Sequence, residues 1–423
     1  MIGKSEGKPN LLFLTQRLPY PPTKGEKIRQ YQILRRLADF FTIYLGCLID
    51  DPADCQYIDV VKAFCREIHA PLIARNTARI RCLVGLLTGE PLSVTFFRNY
   101  SLRQWVDETI SRVKPDVVFV ISSNMAPYVL PIPHAPVRVV DLVDVDSEKW
   151  RAYSNNAGWL MRAVYRREWK RVAALEDQIV RQCDHSLFVS DAEAALMRRR
   201  MPGYDAKISG LSNGVDHAYF NPNRFYRNPF KGDAPTFVFT GTMDYPPNVD
   251  AVCWFARDIL PLIRKQNPSV RFCIVGNHPV SAVRQLEYIE GVTVTGWVSD
   301  VRPYLAHATV AVAPMRMARG IQNKVLEAMA MGRPVVVTDG ALEGIDAEHG
   351  LHLLLANDPD AFAAACLRGA GPDGVPLGRA ARHQAIARYD WPVQLDSLID
   401  LLNRSCKSSF ERICSTRSED GLA

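Results

Sequence analysis

The stretch Val310-Ala-Val-Ala-Pro-Met-Arg-Met-Ala-Arg-Gly-Ile-Gln-Asn-Lys-Val-Leu-Glu-Ala-Met-Ala-Met-Gly-Arg-Pro-Val-Val-Val-Thr338 reads as strand, loop, helix, turn and strand. Both strand runs are apolar throughout, as expected when a sheet is covered on both faces. Arg316, Arg319 and Lys324 surround Gly320 at the helix start, where free N–H groups and the helix dipole attract anions. This is chemistry for a diphosphate. Glu327 lies one turn into the helix, a carboxylate suited to the vicinal hydroxyls of a sugar.

The pattern repeats outward in both directions. Apolar runs occur at 11–15, 41–49, 68–73, 117–121, 137–143 and 187–189, then at 237–240, 270–275, 292–295, 309–313, 334–338 and 352–355. Helical stretches such as 26–39, 251–266, 281–288, 322–331 and 377–389 lie between them. Strand–helix alternation predicts parallel, doubly wound sheets, and twelve strands suit two sheets better than one. The 423 residues agree, at roughly 100–200 residues per domain. Residues 213–235 are Pro/Asn/Gly-rich without periodicity and read as a linker. The expected division is therefore 1–212, a linker at 213–235, 236–403, and a polar tail at 404–423.

Composition narrows the function classes. The chain is 48% hydrophobic and 23% charged, which excludes a disordered or collagen-like chain. No apolar run approaches the ~18–20 residues needed to span a bilayer. The first ten residues lack the apolar core of a signal peptide, so a cytoplasmic location is expected. A net charge of +6 admits anionic partners without indicating a nucleic-acid binder. The ten cysteines form no C-x-x-C pair and read as reduced thiols. No His/Asp ligand cluster stands out, so neither metal nor cofactor is expected.

Ligands of open α/β sheets sit beyond the carboxyl ends of the strands. After the first strand, Thr15-Gln-Arg-Leu-Pro-Tyr-Pro-Pro-Thr-Lys-Gly-Glu-Lys-Ile-Arg29 leads into a helix. Gly25 and Arg29 there are candidate anion contacts, with a Pro-rich turn bearing solvated bases as the alternative. It is not a P-loop, having no G-x-x-x-x-G-K-S/T. The second half opens with Phe239-Thr-Gly-Thr-Met-Asp-Tyr-Pro-Pro-Asn-Val-Asp250, where Gly241 permits close backbone approach. Asn248 there is expected to cap a helix.

Gly320-Ile-Gln-Asn-Lys-Val-Leu-Glu-Ala-Met-Ala-Met-Gly-Arg-Pro-Val-Val336 is similar to the donor-site signature of family-4 retaining glycosyltransferases, which have the GT-B fold. The loop 19–29, Val189-Ser190, Ser212-Asn-Gly-Val-Asp216, Gly276 and Gly296-Trp-Val298 extend the similarity. The opening and the Gly320–Gly332 run most resemble sugar transferases associated with exosortase-type (PEP-CTERM) exopolysaccharide systems. The resemblance implies two Rossmann-like domains facing a cleft and a nucleotide diphosphate sugar as donor. In the family's E-x7-E motif the second glutamate holds the ribose, a role that passes to Glu327. The first falls at Arg319, a departure from the pattern. Backbone donors at Gly320, Ile321, Gln322 and Asn323 would hold sugar and phosphate, with Gly241, Thr242, Gly276, Trp297 and Val298 completing the donor site. The family's basic pair is absent from Thr242-Met-Asp-Tyr-Pro-Pro247, leaving Arg316, Arg319 and Lys324 as substitutes. The family's active-site His has no counterpart in Asp141-Leu-Val-Asp-Val-Asp-Ser147, so Asp144 or Asp146 takes that place, unless Asp146-Ser147 only caps the next helix.

The acceptor implied is a lipid-linked or growing saccharide. Arg75–Leu87 and Trp159–Arg171 interleave basic, aromatic and aliphatic residues, a composition suited to an anionic membrane or to solvated helices. The rival readings are a nucleotide-sugar 2-epimerase and a non-catalytic sugar-nucleotide-binding subunit.

Overall fold

The computed structural model describes residues 8–419, except 23–24, 87–88, 133–135, 157 and 318–319. The chain divides into two compact units, 1–211 with 395–423, and 212–394.

The first unit holds seven parallel strands: β1 Asn10–Leu14, β2 Thr42–Gly46, β3 Glu67–His69, β4 Val117–Ile121, β5 Val137–Val143, β6 His185–Phe188 and β7 Ile208–Gly210. Their order is β3-β2-β1-β4-β5-β6-β7. The second unit has six: β8 Thr236–Thr240, β9 Arg271–Val275, β10 Val292–Val294, β11 Val310–Ala313, β12 Val335–Val337 and β13 Leu354–Leu355. Their order is β10-β9-β8-β11-β12-β13. Every ladder is parallel. The central strands are buried along their length, β4 and β8 at every residue. That is why their sequences are apolar rather than alternating. In each sheet the winding reverses beside the first strand, between β1 and β4 and between β8 and β11, which creates a switch point for a ligand.

All twelve expected strands are present. β7 is an addition; Ile-Ser-Gly at a sheet edge is too short to show periodicity. Two expectations about organisation are corrected. Residues 213–235 are not a detached linker: Val215 and Phe220 are buried in the second unit's core, and Tyr226 and Phe230 pack against it. The Val215 amide also donates to the Tyr389 carbonyl at 2.6 Å. The expected 236–403 domain and 404–423 tail differ too. The helix Trp391–Glu419 runs through both, and from Leu395 onward it groups with the first unit. There Leu395, Leu398, Ile399 and Leu402 are buried, and Asp396 accepts from Arg36 at 2.6 Å.

Candidate functional site

In the second unit the switch point is lined by the turn after β8 and the loop after β11. Phe239 and Thr240 end β8, and Gly241 turns the chain toward the helix Pro246–Trp254. Two backbones meet closely here. A Cβ on Gly276, just after β9, would lie 1.6 Å from the Gly241 carbonyl oxygen. Gly276 is thus glycine for backbone packing, whatever else it touches.

Beyond β11 the chain reaches Gly320, whose left-handed φ of 67° is one that glycine adopts without strain. It then enters the helix Asn323–Ala330. Gln322 supplies no side-chain cap, which leaves the helix start to another acceptor. Lys324, in the first turn, sends Nζ back across the switch point. Nζ donates to Asn248 Oδ1 at 2.6 Å, lies 3.6 Å from Met315 Sδ and stands 4.2 Å from the Phe239 ring centroid. Asn248 Nδ2 donates to the Thr242 carbonyl at 2.9 Å. A Cβ on Gly241 would crowd Asn248 Nδ2 at 2.7 Å and Lys324 Nζ at 3.4 Å, so a side chain there would obstruct the arrangement.

Burial pushes Lys324 down to about 7, against the pull of Glu327. Burial likewise pushes Glu327 up to about 7, against the pull of Lys324. No side-chain hydrogen bond to Glu327 occurs among the described residues.

The other expected residues divide. Ile321 is buried, Val298 packs against the core, and Asn323 accepts from Asn213 Nδ2 at 3.3 Å. Trp297 stands 72% exposed just beyond β10, two strands out from β8. Arg316 is committed elsewhere: its Nε donates to Asp250 at 3.0 Å and its guanidinium lies over the Trp254 ring. Arg319 lies outside the described residues, as does Lys24 beside Gly25.

In the first unit, Gly25 is exposed at the start of the helix Gly25–Ala38. Arg29 does not present its charge to solvent. It is 2% exposed, and its Nε donates to the fully buried Asp141 at 2.7 Å. The anion-contact expectation for Arg29 is corrected accordingly, because a buried ion pair has already used the charge. Asp144 and Asp146 follow a bulge in β5 and a left-handed Val143 at φ 69°, which is strained for a β-branched residue. Lys149 takes both carboxylates, at 2.6 and 3.1 Å. Ser147 gives its amide and hydroxyl to buried Glu176.

Asn248 is the residue the sequence misplaced. The cap position of its helix belongs to Tyr245, and Asn248 stands in the first turn behind two prolines. Proline favours the first helical position, so an Asn after Pro246-Pro247 is already past the cap. That order was the available signal.

Residues 234–370 match the family model described as Glycosyl transferases group 1. That match lies wholly within the second unit. The chain is 27% identical over 223 residues to a phosphatidyl-myo-inositol mannosyltransferase of Propionibacterium freudenreichii subsp. shermanii, covering 51% of this chain and 55% of that protein. It is 26% identical over 149 residues to an uncharacterized 44.6 kDa protein in the cps region of Klebsiella pneumoniae, covering 32% and 38%. The matches thus span about half or less of these curated relatives.

Among solved structures, sucrose-phosphate synthase from Thermosynechococcus elongatus superposes with a TM-score of 0.68 at 18% identity, over 93% of this chain and 98% of that one. Anabaena HepE, solved with UDP and glucose, gives 0.63 at 13% identity, over 93% and 100%. These likenesses carry the fold: two parallel-sheet α/β units of the GT-B class. Among the described residues no group of three or more His, Cys, Asp or Glu side chains is placed to hold a metal, and no helix is long and apolar enough to cross a membrane.

Proposed function

We propose that this chain is a retaining, metal-independent glycosyltransferase. It moves a sugar, of hexosyl type, from a nucleotide diphosphate sugar to a lipid-linked or growing saccharide in exopolysaccharide synthesis. The observation that carries the reading is the meeting of Gly241, Asn248 and Lys324 with an uncapped helix start at the second unit's switch point. Binding of UDP and glucose by the HepE relative in fold, and the mannosyltransferase name of a sequence relative, support it.

In this mechanism the bond from the anomeric carbon to the diphosphate breaks while the acceptor oxygen bonds to that carbon and gives up its proton. Negative charge builds on the leaving diphosphate. Lys324 and the N–H groups opening the helix Asn323–Ala330 neutralise it, a stabilisation that is largest in the transition state. Arg319 would add a second positive charge. Glu327 accepts the ribose hydroxyls, and Trp297 and Val298 flank the nucleoside. Asp144 or Asp146 receives the acceptor's proton once freed from Lys149.

The test is a screen of nucleotide sugars, with and without saccharide acceptors, scoring nucleoside diphosphate release. Release only with acceptor supports transfer. Free epimerised sugar nucleotide would point to an epimerase, and binding without either product to a non-catalytic subunit. Lys324→Met should weaken UDP binding by about 10–100-fold, the worth of a charge-assisted hydrogen bond. Glu327→Ala should raise the donor dissociation constant more than it slows turnover. Unchanged donor affinity in both variants would remove the site from this reading.

The enzyme would work in the cytoplasm, peripheral on the inner face of an anionic membrane. Exposed Trp159, Ile80 and Met161 lie in the two basic–apolar helices that carry this part of the reading.

A further inference from the structure

We infer that Asn248 is a positioning residue for the donor diphosphate: it fixes Lys324 against the Gly241–Thr242 turn and leaves the lysine's positive charge free to meet an anion. The inference rests on the donor-site reading above and assigns a role within it.

The geometry fixes which way the amide points. A lysine ammonium can only donate, and a backbone carbonyl can only accept. The Asn248 atom 2.6 Å from Lys324 Nζ must therefore be the oxygen, and the one 2.9 Å from the Thr242 carbonyl must be the nitrogen. Asn248 is 6% exposed, so losing either bond would strand a buried polar atom. An amide is the side chain that accepts from the lysine and donates to the turn at once.

The neighbouring position shows the contrast. Asp250, two residues on in the same helix, holds Arg316 with a carboxylate and so cancels its charge. Asn248 holds Lys324 with a neutral oxygen and cancels nothing. One helix thus disposes of one cation and preserves the other. Among the described residues, Met315 and Phe239, which also lie against Nζ, are uncharged. Glu327 on the lysine's own helix is a titratable neighbour. Lys324 is accordingly sensitive to its acceptor: burial has lowered its pKa to about 7, and Asn248 favours the protonated form.

The experiment measures UDP affinity from pH 6 to 9 by calorimetry for the parent, Asn248→Ala, Asn248→Asp, Lys324→Gln and the Asn248→Ala/Lys324→Gln double variant. Comparison at each pH cancels the titration of UDP itself. Affinity should be full where Lys324 is protonated and fall as pH rises. Asn248→Ala should weaken binding about tenfold at pH 7.5, the worth of one hydrogen bond to a charged group, and move the fall to lower pH. Asn248→Asp should keep Lys324 protonated to higher pH yet weaken UDP binding, because the charge is then cancelled. In the Lys324→Gln background, Asn248→Ala should change nothing further.

An unchanged pH midpoint in Asn248→Ala, or additive losses in the double variant, would overturn the positioning role and leave Asn248 a packing residue. UDP binding by Asn248→Asp as tight as the parent's would overturn the charge argument. A parent that binds none of UDP, ADP and GDP would instead sink the donor-site reading itself.

Discussion

Lys324 and Glu327 stand nearly one turn apart on one helix, and burial works against the charge of each. The unfolded carboxyl titrates near 4.5 and the folded one at about 7. Between those values the native chain keeps a proton that the unfolded chain has lost, so this group's contribution to stability falls as pH rises. The unfolded lysine titrates near 10.5 and the folded one at about 7. Between those values the unfolded chain keeps the proton, so the lysine's contribution climbs with pH. Their joint cost therefore peaks near neutrality. Denaturant midpoints of the parent, minus those of a Lys324→Met/Glu327→Gln variant, should be lowest near pH 7 and recover on both sides. A difference flat from pH 5 to 9 would refute it. At Arg29 the expectation is different in kind. Removing one member of its buried pair with Asp141 leaves an uncompensated charge, and Arg29→Met should cost about 3–5 kcal/mol in the melting of the first unit while UDP affinity stays put. A loss of UDP affinity with an unchanged melt would reinstate Arg29 as an anion contact.

At the scale of elements, the apolar runs betrayed the strands because burial on both faces leaves little choice of residue. The second unit's switch-point strands, β8 and β11, were therefore legible to within a residue. The cation at their ends was legible too, since Lys324 follows a glycine at a helix start. Which cation remained unspent was not. Arg316 and Lys324 look alike as letters, and only the helix Pro246–Trp254, carrying Asp250 and Asn248, tells them apart. Gly276 is another such case. Nothing in its sequence neighbourhood announces that the Gly241 carbonyl lies where its Cβ would be. Gly276→Ala must push two strand ends apart, and overpacking of this kind costs about 1–3 kcal/mol. The variant should melt lower and bind UDP more weakly, because Gly241 moves with it. An unchanged melting temperature would mean that the turn yields freely.

Across the whole molecule, strand–helix alternation foretold two sheets but not the course of the chain from one to the other. A Pro/Asn-rich segment signals irregular backbone, and residues 213–235 are irregular yet packed on the second unit's core. Surface charge is the other whole-molecule property. Arg162, Arg166 and Lys170 are exposed on the helix Trp159–Gln182, whereas Arg167 donates to the Gly85 and Leu86 carbonyls and so anchors the end of the helix Arg75–Gly85. Reversing the three exposed charges to Glu should abolish co-sedimentation with vesicles containing phosphatidylserine, and the parent's binding should weaken steeply with salt. Arg167→Glu belongs outside that set, since it would unfasten a helix end. Equal co-sedimentation of parent and triple variant would return these helices to solvent.

The excursion of the chain out of its first unit at Leu211 and back at Leu395 sets a timetable for its making. The first sheet is translated ahead of the second unit, but the helical segment carrying Leu398, Ile399 and Leu402 follows it. Translation at roughly 5–20 residues per second puts about 180 residues, or about 10–40 s, between them. The second unit, drawn from one uninterrupted stretch, is free to fold during that interval. The first unit is thus begun before the second and completed after it, and in the meantime the surface that Leu398, Ile399 and Leu402 come to cover stays open on the nascent chain.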